Sequence, residues 1–242
     1  MTEHNEPRIA PSAPGALSVD TPFLSRAAWA RILPFGTYIF FIVLGDMLER
    51  AGMARAELRW LYPVQAGAVL VLLAVFWKQY EELRAAFISL KQAALAVAVG
   101  VLVLVLWINL DLPWMVVGSS AGYNPITEGE IDWLLVAIRI AGAALVVPVM
   151  EELFWRSFLM RWIEEADFQR VDPARVGLKA ILISVVLFGF EHNLWLAGIV
   201  AGIAYTLLYM RHRNVWSPIL AHAVTNGLLG IWVVSTGNWA FW

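Results

Sequence analysis

The sequence predicts an all-α, polytopic transmembrane helical bundle, and three observations carry that reading. Of 242 residues, 60% are hydrophobic and only 15% charged, against about 45–50% apolar and about 25% charged in an ordinary soluble domain. The apolar residues are gathered into runs near or beyond the roughly 18 that signal a bilayer span. Backbone in lipid must also satisfy its own hydrogen bonds, so each run is expected to be a helix.

Taken in order, residues 1–30 form a polar, flexible N-terminal tail rich in Pro, Ser, Thr and charge. They lack the basic stretch followed by an apolar stretch of a cleavable signal peptide. Apolar segments then fall at 34–48, 61–77, 92–110, 131–162, 178–197, 198–210 and 215–236, which gives seven spans. Residues 31–130 hold the N-terminal transmembrane helices and 131–236 the candidate catalytic core. An eighth segment is counted if Leu112 to Val117, with Pro113 and Trp114, also enters the membrane. Gly198 and Gly202 form a small-xxx-small pair, read as a close helix contact. Trp60, Trp77, Trp107 and Trp195 lie near segment ends and read as interfacial anchors.

Orientation follows from Lys and Arg near the helix ends. Arg161, Arg170, Arg175 and Lys179 crowd the connection after the fourth segment, and Arg211 and Arg213 lie between the sixth and seventh. Those loops are expected in the cytoplasm, with the C-terminus outside. Arg50, Arg55 and Arg59 then fall in an outer loop and fit this scheme poorly. The net charge of −2 gives no basic stripe for nucleic acid, and zero Cys removes disulfides, thiolate metal ligands and a Cys nucleophile.

Ionisable residues inside such segments are costly, and therefore mark function by default. Three clusters qualify: Glu151-Glu152 with Arg156 in the fourth segment, Phe188 to Asn193 with Glu191 and His192 in the fifth, and His222 with Asn226 in the last. Glu152 and Arg156 are spaced i, i+4 and share a face, as do His222 and Asn226, whereas Glu151 points elsewhere on its helix. Counting about 1.5 Å per residue from the helix ends puts Glu151, His192, His222 and Asn226 at compatible depths, in the cytoplasmic half to the middle of the bilayer. Arg139 is left outside this site. His4 and His212 need no catalytic explanation.

In order, Glu151-Glu152-x-x-x-Arg156, Phe188-x-x-x-His192 and His222-x-x-x-Asn226 resemble the CAAX protease and bacteriocin-processing family of intramembrane endopeptidases, over about residues 131–236. The N-terminal half resembles a bacterial subgroup associated with exosortase protein-sorting systems. The resemblance implies a glutamate-dependent hydrolase. Glu151 would be the general base on a water held jointly with His192, His222 and Asn226 would stabilise the oxyanion, and Glu152 and Arg156 would support them. A carboxylate among apolar side chains is a better base than an exposed one, and donors aimed at a developing oxyanion are strong in a water-poor site. Ser157 and Ser184 lack a matching His-carboxylate arrangement, which disfavours a Ser nucleophile.

No cofactor is expected. Zinc stays open, because two His and a Glu form a known catalytic set, although the H-E-x-x-H signature is missing. The expected partners are a membrane-associated protein or peptide substrate, the lipid bilayer and proteins of a sorting system, with no nucleic acid. The expected location is a bacterial inner membrane. Two rival readings share these residues: a proton-coupled transporter and a catalytically silent membrane scaffold.

Overall fold

The computed structural model describes residues 24–118, 122–127 and 129–242. Most of the expected N-terminal tail, His4 included, lies outside these residues. Seven helical segments follow in order. They are α1 (Arg26–Arg50), α2 (Arg55–Val75, with a break near Arg59), α3 (Leu90–Trp107), α4 (Trp133–Trp162), α5 (Leu178–Phe190), α6 (Trp195–His212) and α7 (Trp216–Thr236). Five of them, all but α5 and α6, are long and apolar enough to cross a membrane. The chain is an integral membrane protein of all-α architecture.

Three sequence boundaries move. Helix α1 begins at Arg26, inside the stretch expected to be tail, because Ser25 caps it by accepting from the Ala28 amide at 3.1 Å. Ala27 and Ala28 also pack with Phe158 and Phe168, so burial continues outward from the first apolar run. The stretch from Leu112 to Val117 holds one 3-10 turn, Pro113–Met115, with Trp114 exposed. Six residues with so short a helical turn cannot satisfy a backbone across lipid.

The third shift matters most for function. The fifth segment ends at Phe190 rather than 197, and the chain reverses over Glu191 to Leu194. The breaker is the polar run Glu191-His192-Asn193. Gly198 instead lies inside α6 against the backbone of Gly189, and Gly202 lies against Phe188 and Val185. The missing Cβ atoms let α5 and α6 pack closely as antiparallel neighbours, which is the contact expected of that pair.

Helix α4 is continuous but not uniformly α-helical. Two π-helical stretches, Gly142–Val146 and Leu153–Leu159, flank the ordinary turns Val147–Glu152. Such wider turns displace the hydrogen-bond ladder and are common at functional sites. Asp132 caps the start of the helix by accepting from the Leu135 amide. The second π stretch packs against α1, where Phe35 stacks on Phe154 with ring centroids 3.8 Å apart.

Alternating helix directions create two faces. One carries the links from α2 to α3, from α4 to α5 and from α6 to α7, joined by Asn214 donating to the Ala86 carbonyl and Trp216 to that of Leu83. The other carries the α1–α2 link, the α3–α4 loop with its small hairpin β1 (Ile126–Thr127) and β2 (Glu130–Ile131), the α5–α6 turn and the C-terminus. Arg59 donates there to the Ile126 carbonyl, and Asn193 to that of Val117.

Candidate active site

The four residues expected to do chemistry surround one cavity of about 290 Å³. Glu151 comes from the α-helical turns of α4, His192 from the α5–α6 turn, and His222 and Asn226 from one face of α7. Glu152 and Arg156 stand behind them, both fully buried.

Helix α7 is set in place by close contact with α3. Gly100 lies against the backbone of Ala221, and its carbonyl accepts from the Thr225 hydroxyl at 2.9 Å. Tyr205 of α6 donates to the same hydroxyl oxygen at 2.8 Å and stacks on His222, with centroids 4.9 Å apart. The His222 ring is thereby fixed. Its Nδ1 is 3.0 Å from Glu152 Oε1 and its Nε2 is 4.0 Å from Glu151 Oε2.

Glu152 Oε1 also accepts from Arg156 at 3.2 Å, as the i, i+4 spacing predicts. The Arg156 guanidinium lies 4.2 Å from the centroid of the Phe188 ring and donates to the Gly202 carbonyl at 3.4 Å. A charge out of water needs such compensation, and an aromatic face supplies part of it. Phe188 also abuts the His192 ring, with centroids 4.9 Å apart, and meets the His222 ring edge-on at 6.3 Å, so the first residue of Phe188-x-x-x-His192 touches one residue of each of the other two motifs.

His192 Nδ1 is 2.8 Å from the Phe188 carbonyl. A carbonyl only accepts, so Nδ1 carries the proton and Nε2 is left as an acceptor. Asn226 Nδ2 donates to the Ala143 carbonyl at 2.9 Å. Ala143 belongs to the first π stretch, where the ladder is displaced and a carbonyl can serve a neighbouring helix. Glu151 Oε2 and Glu152 Oε2 are buried without a hydrogen-bond partner among the described residues.

Sequence reasoning left two charged cavity residues out of the site. Glu191 lines the cavity and accepts from Trp155 Nε1 at 3.0 Å; its place beside His192 in an apolar run was the available signal. Arg139 also lines it, with its guanidinium 4.1 Å from the centroid of the Tyr62 ring and Nε buried without a hydrogen-bond partner among the described residues. Among the described residues, no three His, Asp or Glu side chains are grouped as metal ligands. Ser157 donates to Glu82 and Ser184 to the Trp155 carbonyl, so neither hydroxyl is paired with a histidine.

The fold and site define a polytopic helical membrane protein with carboxylates and imidazoles gathered around a buried cavity. Residues 133–228, which run from α4 into α7, match the family model described as type II CAAX prenyl endopeptidase Rce1-like, and the match supports the CAAX protease family, membrane peptide hydrolases, for this region. The match carries the family and not the exosortase-associated subgroup. No curated protein and no solved structure matches the chain.

Proposed function

We propose that the chain is an intramembrane endopeptidase that cleaves a membrane-associated protein with a glutamate-activated water, in a bacterial inner membrane. The observation that carries this reading is the contrast between the paired glutamates. Glu152 Oε1 is committed to Arg156 and His222 and its side chain stands behind the cavity, whereas Glu151 lines the cavity and keeps Oε2 without a hydrogen-bond partner among the described residues.

In this reading Glu151 removes a proton from the water as its oxygen attacks the peptide carbonyl carbon, and His192 Nε2 accepts the second water hydrogen. The oxyanion forms between Asn226 and His222. Asn226 has a second N–H beyond the one given to Ala143, and His222 donates to the oxyanion when its Nε2 carries a proton. Glu151 then returns the proton to the leaving amine as the C–N bond breaks. No metal is needed for any step. His222 Nδ1 is already engaged by Glu152, which supports a donor role over a ligand role.

The test is a comparison of cells expressing the wild-type chain and Glu151→Gln, which keeps the side-chain volume and removes the basic oxygen. A membrane protein should be shortened in the first cells and remain full length in the second. Equal shortening in both would remove Glu151 from the chemistry. Activity retained in strong chelator is the accompanying expectation, and loss that one divalent metal per chain restores would reassign His192 and His222 as ligands.

A further inference from the structure

We propose that the substrate segment reaches the cavity from the non-cytoplasmic side, through a cationic vestibule in which Arg139 receives a carboxylate of that segment. The proposal rests on the protease reading for what enters, but not for where the opening lies.

The cavity holding Glu151 adjoins a second, larger one of about 970 Å³, and Ile42, Arg139, Asn193 and Trp242 line both. This vestibule sits on the face formed by the α1–α2 link, the hairpin loop and the C-terminus, since Arg55, Asn124 and Trp242 line it. The opposite face carries Lys78 and Arg84 in one link, Arg170 and Arg175 in the next, and Arg211 and Arg213 at the third. Lys and Arg concentrate in short cytoplasmic loops, so the vestibule opens away from the cytoplasm.

The three arginines that fit the outer loop poorly now have a place. Arg50 pairs with Asp46 and Arg55 with Glu49, and all four residues line the vestibule. Arg59 donates to the Ile126 carbonyl and the Thr127 hydroxyl. Among the described residues neither Arg59 nor Arg139 has a carboxylate partner, so the vestibule carries more positive than negative charge. Arg139 stands at the junction with the cavity, held over the Tyr62 and Tyr123 rings. Guanidinium presents a planar fork of donors suited to a carboxylate.

The chain contains no Cys, so single cysteines report access without background. Asn193→Cys at the junction and Asn214→Cys on the basic face are each expressed in full-length protein in the cytoplasmic membrane of a bacterial host. Intact spheroplasts are treated with membrane-impermeant thiosulfonates. Asn193→Cys should react from outside, and Asn214→Cys only after permeabilisation. The anionic reagent should react with Asn193→Cys several-fold faster than the cationic one, with the difference abolished by Arg139→Gln and kept by Arg139→Lys. Two short peptides at millimolar concentration, one acidic with an amidated C-terminus and one neutral with a free C-terminus, distinguish a side-chain carboxylate from a chain terminus. Slowed labelling by at least one, with none by a basic peptide, is the expected result. Reaction of Asn193→Cys only after permeabilisation overturns the direction of entry. A reagent preference unchanged by Arg139→Gln, lost equally in Arg139→Lys, or no protection by either carboxylate peptide overturns the role of Arg139. Labelling does not depend on cleavage, so these failures are separate from failure of the protease reading.

Discussion

Among the described residues, two ionic clusters built on the buried arginines Arg31 and Arg156 differ in how completely their atoms are paired. Near the basic face, Arg31 is buried and donates to Glu82, to the Ala27 carbonyl at 2.7 Å and to the Gln79 carbonyl at 3.2 Å, while Ser157 donates to Glu82. Around the candidate active site, Glu151 Oε2, Glu152 Oε2 and Arg156 Nε have no partner among the described residues, and Glu151 faces a cavity. The first cluster ties α1 to the α2–α3 link and α4. The second leaves polar capacity where a substrate and a water can use it. Burial of charge alone therefore does not identify a site; incomplete pairing beside open space does.

Replacing one member of either cluster gives the largest expected change. Arg156→Met leaves the buried Glu152 without its cation and should lower stability by about 3–5 kcal/mol, and Arg31→Met, which leaves the part-buried Glu82, should lower it by less, both measured by thermal unfolding in detergent. The comparison sharpens in the partner changes. Adding Glu152→Gln to Arg156→Met should recover part of the stability but no cleavage, whereas adding Glu82→Gln to Arg31→Met should recover both. A double variant no more stable than its single would show that the pair does not interact.

A smaller effect is expected from the donor on α7. Asn226→Ala removes the proposed oxyanion donor and should reduce kcat about 10²–10³-fold with little change in KM, as for loss of one such group elsewhere. An equal rise in KM with kcat unchanged would make Asn226 a ground-state contact instead. Smaller again is Tyr205→Phe. It deletes the hydroxyl bonded to Thr225, but keeps the ring stacked on His222, and should cost about 1 kcal/mol of stability with near-normal kcat. A large fall in kcat there would extend the reacting group to the tyrosine.

The same contrast explains what the sequence made legible. Glu151, Glu152, His192, His222 and Asn226 stand out because polar residues in apolar helices are rare, and the i, i+4 spacings of Glu152 with Arg156 and His222 with Asn226 can be read from helical geometry. The seven helical segments were legible for the same reason of apolar run length. Arg31 pairing with Glu82 was not, because the partners lie 51 residues apart and only packing brings them together. The π stretches of α4 leave no mark in the hydropathy pattern, yet one of them frees the carbonyl that holds Asn226. The turn at Glu191 to Leu194 was placed too late because its apolar flanks, Phe190 and Trp195, continue the hydrophobic run. The hydropathy pattern therefore carries no sign of Glu191's place on the cavity wall or of the turn's position beside the vestibule.

On this reading Glu151, with an oxygen left unpartnered, serves the chemistry, and Glu82, fully paired, serves the structure. The most direct measurement sets Glu151→Gln beside Glu82→Gln in the same proteoliposome cleavage assay, with thermal unfolding recorded for both. The expected result is crossed. Glu151→Gln should be inactive and as stable as wild type, while Glu82→Gln should be less stable but cleave normally per folded molecule at a temperature where it is folded. Cleavage by Glu151→Gln at the wild-type rate, or its loss in folded Glu82→Gln, would contradict it.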